Sequence, residues 1–346
     1  MRDAIRLCAA AVALAGAAVL VAVSTAAASR SRSAQPVPLS LVSTAWPPFT
    51  NEPGQPRFAL DLVETALGRV QINPKTTIVP AADFTPSLLS GRFDGSAAVW
   101  KDPARERALI FSQPYLENRL VLVGRRGADV KATALTDLKG KRIAIVEGYS
   151  YGDAIDRGGP TWVRTRSEED SLSQLLKSGV DYTLMDELVV NYIVSNYPKE
   201  AGARLQIGLV PLVTRELYLA VSRTRADAES LISKFNAQLR GLIADRTYHR
   251  LLHVAWIRAD VNGDGIPEFV PRDDQAGTAA PPTAYSLFTL PKSVRLATTA
   301  TAEKPGFYVG GNIYRDWASV PDKYKTVNPN HPDARRSTAS LFNFSW

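Results

Sequence analysis

The chain of 346 residues contains one cysteine, Cys8, and three histidines, His249, His253 and His331. A single thiol excludes an intramolecular disulfide, a cysteine zinc cluster and, beyond Cys8, a thiol catalyst. With only these three histidines, no nucleophile triad is readable from the sequence. Repeats of fixed period are absent. A clustered basic face is also lacking, although the net charge is +7. The first 28 residues carry +1 of this charge and residues 275–346 carry +4, which leaves +2 for the body of the chain. Nucleic-acid binding needs a concentrated positive patch. Hydrophobic residues make up 45% and charged residues 22%, the balance of a globular chain of about two domains.

One long apolar run is present, Leu7 to Val23, behind Arg2 and Arg6 and ahead of Ala26-Ala27-Ala28. A positive segment, an apolar stretch and small residues in that order predict an export signal cleaved after about residue 28. The rival is an uncleaved membrane anchor, which needs about 17 to 25 apolar residues. Much of this run is alanine, which favours cleavage. Cys8 lies too early for a lipoprotein site.

From Pro36 onward, strand and helix patterns alternate. Strands are predicted at Leu39–Val42, Thr76–Val79, Ser96–Trp100, Leu120–Val123, Arg142–Val146, Asp181–Met185 and Leu217–Val221. Helices are predicted at Phe58–Leu67, Pro86–Ser90, Leu172–Ser178 behind a capping box at Ser167-Glu168-Glu169-Asp170, Leu188–Val194, and Arg225 to Ala255 as one long element. The alternation implies an α/β protein with largely parallel sheets. After Trp256 the periodicity fades. Residues 275–346 hold seven prolines and ten aromatics. A disordered tail is poor in aromatics, so part of this extension is expected to pack.

The most specific stretch runs from Asp94 through Trp100-Lys101-Asp102-Pro103-Ala104-Arg105 to Phe111-Ser112-Gln113-Pro114-Tyr115. Together with Trp46-Pro47-Pro48-Phe49, Phe58 to Val63, Leu138 to Arg142, and Gly179 to Asp186, it resembles the extracytoplasmic solute-binding proteins of amino-acid-type ABC transporters. The resemblance covers residues 37 to about 258. It implies the two-lobed type 2 periplasmic binding fold, each lobe a mixed, mostly parallel sheet flanked by helices. Lobe one takes 36–122 and 214–258, lobe two takes 123–213, and 259–346 form a partly irregular C-terminal extension. A ligand would lie between the lobes at the carboxyl ends of the strands. The implied protein is a periplasmic monomer, without enzymatic activity or cofactor, that serves a membrane permease.

The same resemblance places Arg105 on the ligand's carboxylate, where the guanidinium fork is geometrically suited. Without the motif Arg105 is an exposed charge among Lys101 and Arg107. Asp186 would meet an ammonium group, or else simply cap the helix from Leu188. Trp46 would form an aromatic wall, or else a core aromatic beside two prolines. Trp100, Phe84, Ala98, Tyr149, Ser150 and Tyr151 complete the expected site. Departures from the family pattern are Ala97, Ala98 and Trp100 in place of small hydroxyl residues, and Ser43 in place of an upstream acid. Gly148-Tyr149-Ser150-Tyr151 also replaces a small Thr or Ser run, and Trp100, Tyr149 and Tyr151 together predict a larger, more aromatic cleft for a small carboxylate-bearing solute.

Other signals are weaker. His249 and His253 have metal spacing but no third ligand, and Arg250-Leu251-Leu252 lacks the zinc-protease glutamate. Asp260, Asn262, Asp264 and Gly265 copy half of a calcium loop, yet Pro271 stands where a bidentate glutamate belongs, leaving Glu268 or Asp273 for a looser site. A rival enzymatic reading, a dehydratase of cyclic acids on the same fold, would need a proton donor from Asp186, Glu187 or Glu147. A third reading is an accessory receptor of a periplasmic redox or sensory system.

Overall fold

Why these segments meet as they do is visible in the computed structural model, which describes residues 38–326 apart from 154, 156–158, 253–255, 265, 274–284 and 287–305. The predicted leader, residues 1–28, lies outside the described residues. Among the described residues no helix is long and apolar enough to cross a membrane.

The first half begins with β1 (Leu39–Thr44), α1 (Phe58–Gly68), β2 (Pro74–Val79), α2 (Ala81–Leu89) and β3 (Gly95–Val99). It continues through α3 (Pro103–Ala108), β4 (Leu109–Phe111) and β5 (Leu116–Arg125). Then come β6 (Arg142–Val146), β7 (Thr161–Thr165), α4 (Glu168–Leu176), β8 (Tyr182–Asp186) and α5 (Glu187–Asn196). The long strand β9 (Leu205–Ser222) leads to α6 (Ala228–Ala244) and α7 (Thr247–Leu252).

Nine strands form one sheet in the order β2-β1-β3-β9-β5-β8-β6-β7, with β4 also on β9. The parallel ladders are the ones expected from strand–helix alternation: β1 with β2 and β3, and β6 with β7 and β8. The antiparallel ladders all involve β5 or β9, the two strands that run between the halves. All five residues of β3 are buried, which explains its unbroken small-apolar sequence. Gly95 is required there: a Cβ would collide with the Ala220 carbonyl oxygen of β9.

Several expected boundaries move. Helix α2 starts at Ala81 rather than Pro86, because Phe84 and Leu88, four apart, bury one face and outweigh the internal proline. The strand expected at Leu217 begins at Leu205. Its ladder with β5 jumps from Val121↔Pro211 to Val123↔Ile207, a bulge that leaves Leu209 93% exposed. The helix expected from Arg225 to Ala255 is two helices. Arg246 breaks it with φ 66°, and Asp245 accepts hydrogen bonds from the Thr247 N–H and hydroxyl to start α7. The end of that segment, 253–255, lies outside the described residues. Strands α/β alternation did not predict are β4 and β7.

Part of the extension packs, as its aromatics led us to expect. Strands β10 (Trp256–Ala259), β11 (Glu268–Pro271), β12 (Tyr285–Ser286), β13 (Phe307–Val309) and β14 (Asn312–Tyr314) form a second sheet, ordered β12-β10-β11-β13-β14. Trp256, Phe307, Val309 and Val320 make its core, with Phe269 stacked on Phe307 and Trp317 packed on both Trp256 and Phe307. Phe307, Tyr314, Trp317 and Tyr324 of the tail therefore pack, while Phe288, Phe342, Phe344 and Trp346 lie outside the described residues.

Candidate functional site

The centre of the expected site is built by a helix start. Asp102 caps α3 by accepting from the Arg105 N–H at 2.8 Å, and Pro103 occupies the first helical turn. Arg105 on that turn is 4% exposed. Its guanidinium donates to the Trp100 carbonyl at 3.0 Å and the Thr85 hydroxyl at 2.9 Å, lies 3.3 Å from Asp102, and stacks over Phe84. Its Nε makes no hydrogen bond. Burial presses against the Arg105 charge, Asp102 supports it and nearby Arg215 opposes it. Burial also works against the Asp102 charge, but the Ser150 hydroxyl, the helix N–H groups and Arg105 hold its pKa below the ordinary carboxylate range.

A cavity of about 40 Å³ lies against Arg105, lined also by Trp46, Phe84, Ala98, Trp100, Tyr149 and Ser150. It has room for two or three waters, not for a solute. Aromatic rings fill the rest. Trp46 meets Trp100 edge-on at 5.5 Å and Tyr149 at 5.9 Å, and Tyr151 meets Trp100 at 5.7 Å. Ser150 donates to Asp102 at 2.5 Å. Eight of the nine expected residues thus gather in one place. The aromatic character inferred from Trp100, Tyr149 and Tyr151 is what packs there.

Asp186 is the ninth, and it lines neither cavity described here. It is 1% exposed and caps α5: Oδ1 accepts from the Leu188 N–H, and Oδ2 from the Asn118 amide and the Arg119 N–H. The capping alternative is the one observed. Burial pushes its pKa up to about 7, against the pull of those donors. The Asn118 oxygen in turn accepts from the Trp100 indole N–H at 2.7 Å, so Asp186 reaches the site only through two side chains. Glu187 is bonded to Arg119 and Glu147 is exposed, so no acid named for the enzymatic reading lines either cavity.

Residues not singled out from the sequence also take part. Thr85 and Asn118 fix Arg105 and Trp100. Arg215 on β9 donates to the Lys101 carbonyl and lies 6.0 Å over Trp100. Nothing local in the sequence marks these partners. Glu168 was readable only as part of a capping box, of which the Ser167 half forms, its hydroxyl accepting from the Asp170 N–H, while the Asp170 carboxylate accepts from the Arg166 N–H. In space Glu168 lines a second pocket of about 600 Å³ between α4 and α5, which shares Trp46 and Tyr149 with the first.

Metal-ligating expectations find no support in the geometry. His249 is buried and bonds the Val270 carbonyl at 3.0 Å, tying α7 to β11, and burial lowers its pKa to about 4. His253 and Gly265 lie outside the described residues. Asp260, Asn262 and Asp264 each accept a loop N–H, and Glu268 accepts from the Val261 N–H. Among the described residues no group of three acidic, histidine or cysteine side chains is placed to hold a metal.

Comparison with known proteins agrees with this architecture. The model of the bacterial extracellular solute-binding proteins, family 3, matches residues 40–258. "ABC transporter arginine-binding protein 1" of Escherichia coli K12 is 27% identical over 216 residues, covering 61% of this chain and 86% of that protein. "Virulence sensor protein BvgS" of Bordetella pertussis is 27% identical over 154 residues, 44% of this chain and 12% of that much longer protein. Among solved structures, an arginine-binding protein of T. maritima (P235GK mutant) superposes with TM-score 0.50 at 26% identity, covering 62% of this chain and 93% of that one. An ancestral arginine-binding protein bound to arginine gives TM-score 0.53 at 22% identity, covering 63% and 98%. The matched region is the nine-stranded sheet and its helices, the type 2 periplasmic binding fold, and the chain belongs to the bacterial extracellular solute-binding proteins of family 3.

Proposed function

We propose that this protein is a periplasmic receptor that clamps a small carboxylate-bearing solute, an amino acid or related organic acid, at Arg105 and delivers it to an ABC permease. The observation that carries this reading is Arg105 itself. It is a buried guanidinium at the wall of a cavity, with two donors fixed by Trp100 and Thr85 and its Nε unbonded. Those two acceptors take one N–H each and the Nε lies 3.3 Å from Asp102, which leaves one N–H on each terminal nitrogen for a carboxylate. The names of the Escherichia coli and T. maritima relatives, both arginine-binding proteins, support an amino-acid-type ligand.

The lobes proposed are 36–122 with 214–258, and 123–213. Trp46, Trp100 and Asp102 then belong to one lobe, and Tyr149, Ser150 and Tyr151 to the other. Their contacts close the cleft over about 40 Å³, so entry requires the lobes to part by bending in β5 and β9. The solute replaces ring–ring contacts with its own and stabilises closure only through contacts to both lobes.

A thermal-shift screen of amino acids, keto acids and aromatic acids, followed by calorimetry on Arg105→Ala, tests the clamp. Removing one partner of a desolvated charge pair weakens binding by about thirtyfold to several thousandfold. Wild-type affinity in Arg105→Ala overturns the reading.

A further inference from the structure

A pocket of about 600 Å³, walled by α4 and α5 and closed by Trp46, Pro47 and Ala81 from the other proposed lobe, is not explained by the Arg105 reading, and its size is that of a small-molecule site. One wall is aromatic, with Trp46, Tyr149 and Tyr192. At the mouth of α4 stands Glu168, whose Oε2 is sealed from solvent and makes no hydrogen bond. The Trp46 indole N–H is near enough to favour the charged carboxylate, yet it completes no hydrogen bond either. A carboxylate oxygen withdrawn from water without a donor is unfavourable and is normally paired.

The charges around this carboxylate narrow what can pair with it. Buried Asp186 and neighbouring Glu169 both oppose ionisation of Glu168. Lys177 lines the same pocket but lies nine residues along α4, about 13 Å away by helix rise. Tyr197 and Arg204 line it from beyond α5, and both are exposed. Helix α4 also carries three carboxylates in its first turn, Glu168, Glu169 and Asp170, more than its half-unit of positive end charge offsets. The pocket end at Glu168 therefore favours a cation, and aromatic faces attract one as well.

We propose that this pocket binds an N–H-bearing organic cation, an ammonium or guanidinium group, with the Glu168 carboxylate as its counter-ion and hydrogen-bond acceptor and the rings of Trp46, Tyr149 and Tyr192 as its walls. The inference rests on the receptor reading above and adds a second recognition point on the far side of Trp46 and Tyr149 from Arg105. The cation takes the place of the proton that Glu168 otherwise carries near neutral pH, so binding releases a proton to solvent.

Agmatine, which carries guanidinium and ammonium groups and no carboxylate, is the probe. Calorimetry on the full chain at pH 7 is expected to show agmatine binding that weakens about thirtyfold or more in Glu168→Gln. Repeating the titration in buffers of different ionisation enthalpy is expected to report release of close to one proton by the wild type. The proton count needs no variant, so a poorly folded Glu168→Gln does not spoil the test. Agmatine cannot engage a carboxylate clamp, so failure of the Arg105 reading leaves this result unaffected. No agmatine heat at millimolar concentration, equal affinity in Glu168→Gln, or binding without proton release overturns the proposal.

Discussion

Replacing Glu168 by glutamine should make the protein more stable in alkali and leave it nearly unchanged in mild acid. The reason is linkage. Burial, helped by the like charges of Asp186 and Glu169, pushes the Glu168 pKa from 4.5 up to about 8. The folded chain therefore keeps a proton that the unfolded chain has lost between those values. Stability from this group is complete below 4.5 and is lost as pH rises through about 8. The interval, at about 1.4 kcal/mol per pH unit, bounds the loss at roughly 5 kcal/mol. Glu168 is only half-buried as a residue, and solvent screening reduces the expected loss to about 2 to 3 kcal/mol. Glutamine keeps the shape and removes the titration. Asp186 has a pKa near 7 and contributes a slope of the same sign, but most of it is complete before pH 8. Urea unfolding followed by tryptophan fluorescence, near pH 5.5, 7 and 9, measures the difference directly. If wild type and Glu168→Gln lose the same stability between pH 5.5 and 9, the carboxyl is not sealed and the argument fails.

Asp186→Asn should retain the cap of α5, since asparagine caps as well as aspartate, and should change affinity for a cleft ligand less than about tenfold, or 1.4 kcal/mol, by calorimetry. A larger loss would place that carboxylate on the solute. Gly95→Ala should destabilise the chain by about 3 kcal/mol or more, because β3 and β9 must separate to admit the Cβ beside the Ala220 carbonyl. Normal soluble yield with an unshifted urea midpoint would refute that account.

Much of the fold was legible because it is local. Strand Arg142–Val146 is where its apolar run predicts it, and Ser167 caps its helix as the capping box requires. Arg105 was singled out through its spacing to Phe111-Ser112-Gln113-Pro114-Tyr115, and the rings at Trp46, Trp100, Tyr149 and Tyr151 through the same resemblance; the structure brings them together. What the sequence by itself determines is the strand–helix order and the family. Tertiary structure alone decides that Asp186 spends its oxygens on Asn118, Arg119 and Leu188 rather than on the cleft. It also decides that β9 runs the length of β5, and that Phe307 and Trp317 of the tail pack with Trp256 on a second sheet. Glu168 shows the difference most sharply. Next to Ser167 it is one more acidic residue at a helix start, and only the approach of Trp46, Tyr149 and Asp186, 122, 19 and 18 residues away in sequence, withdraws it from water. Desolvation belongs to neighbours in space, and the sequence lists only neighbours along the chain.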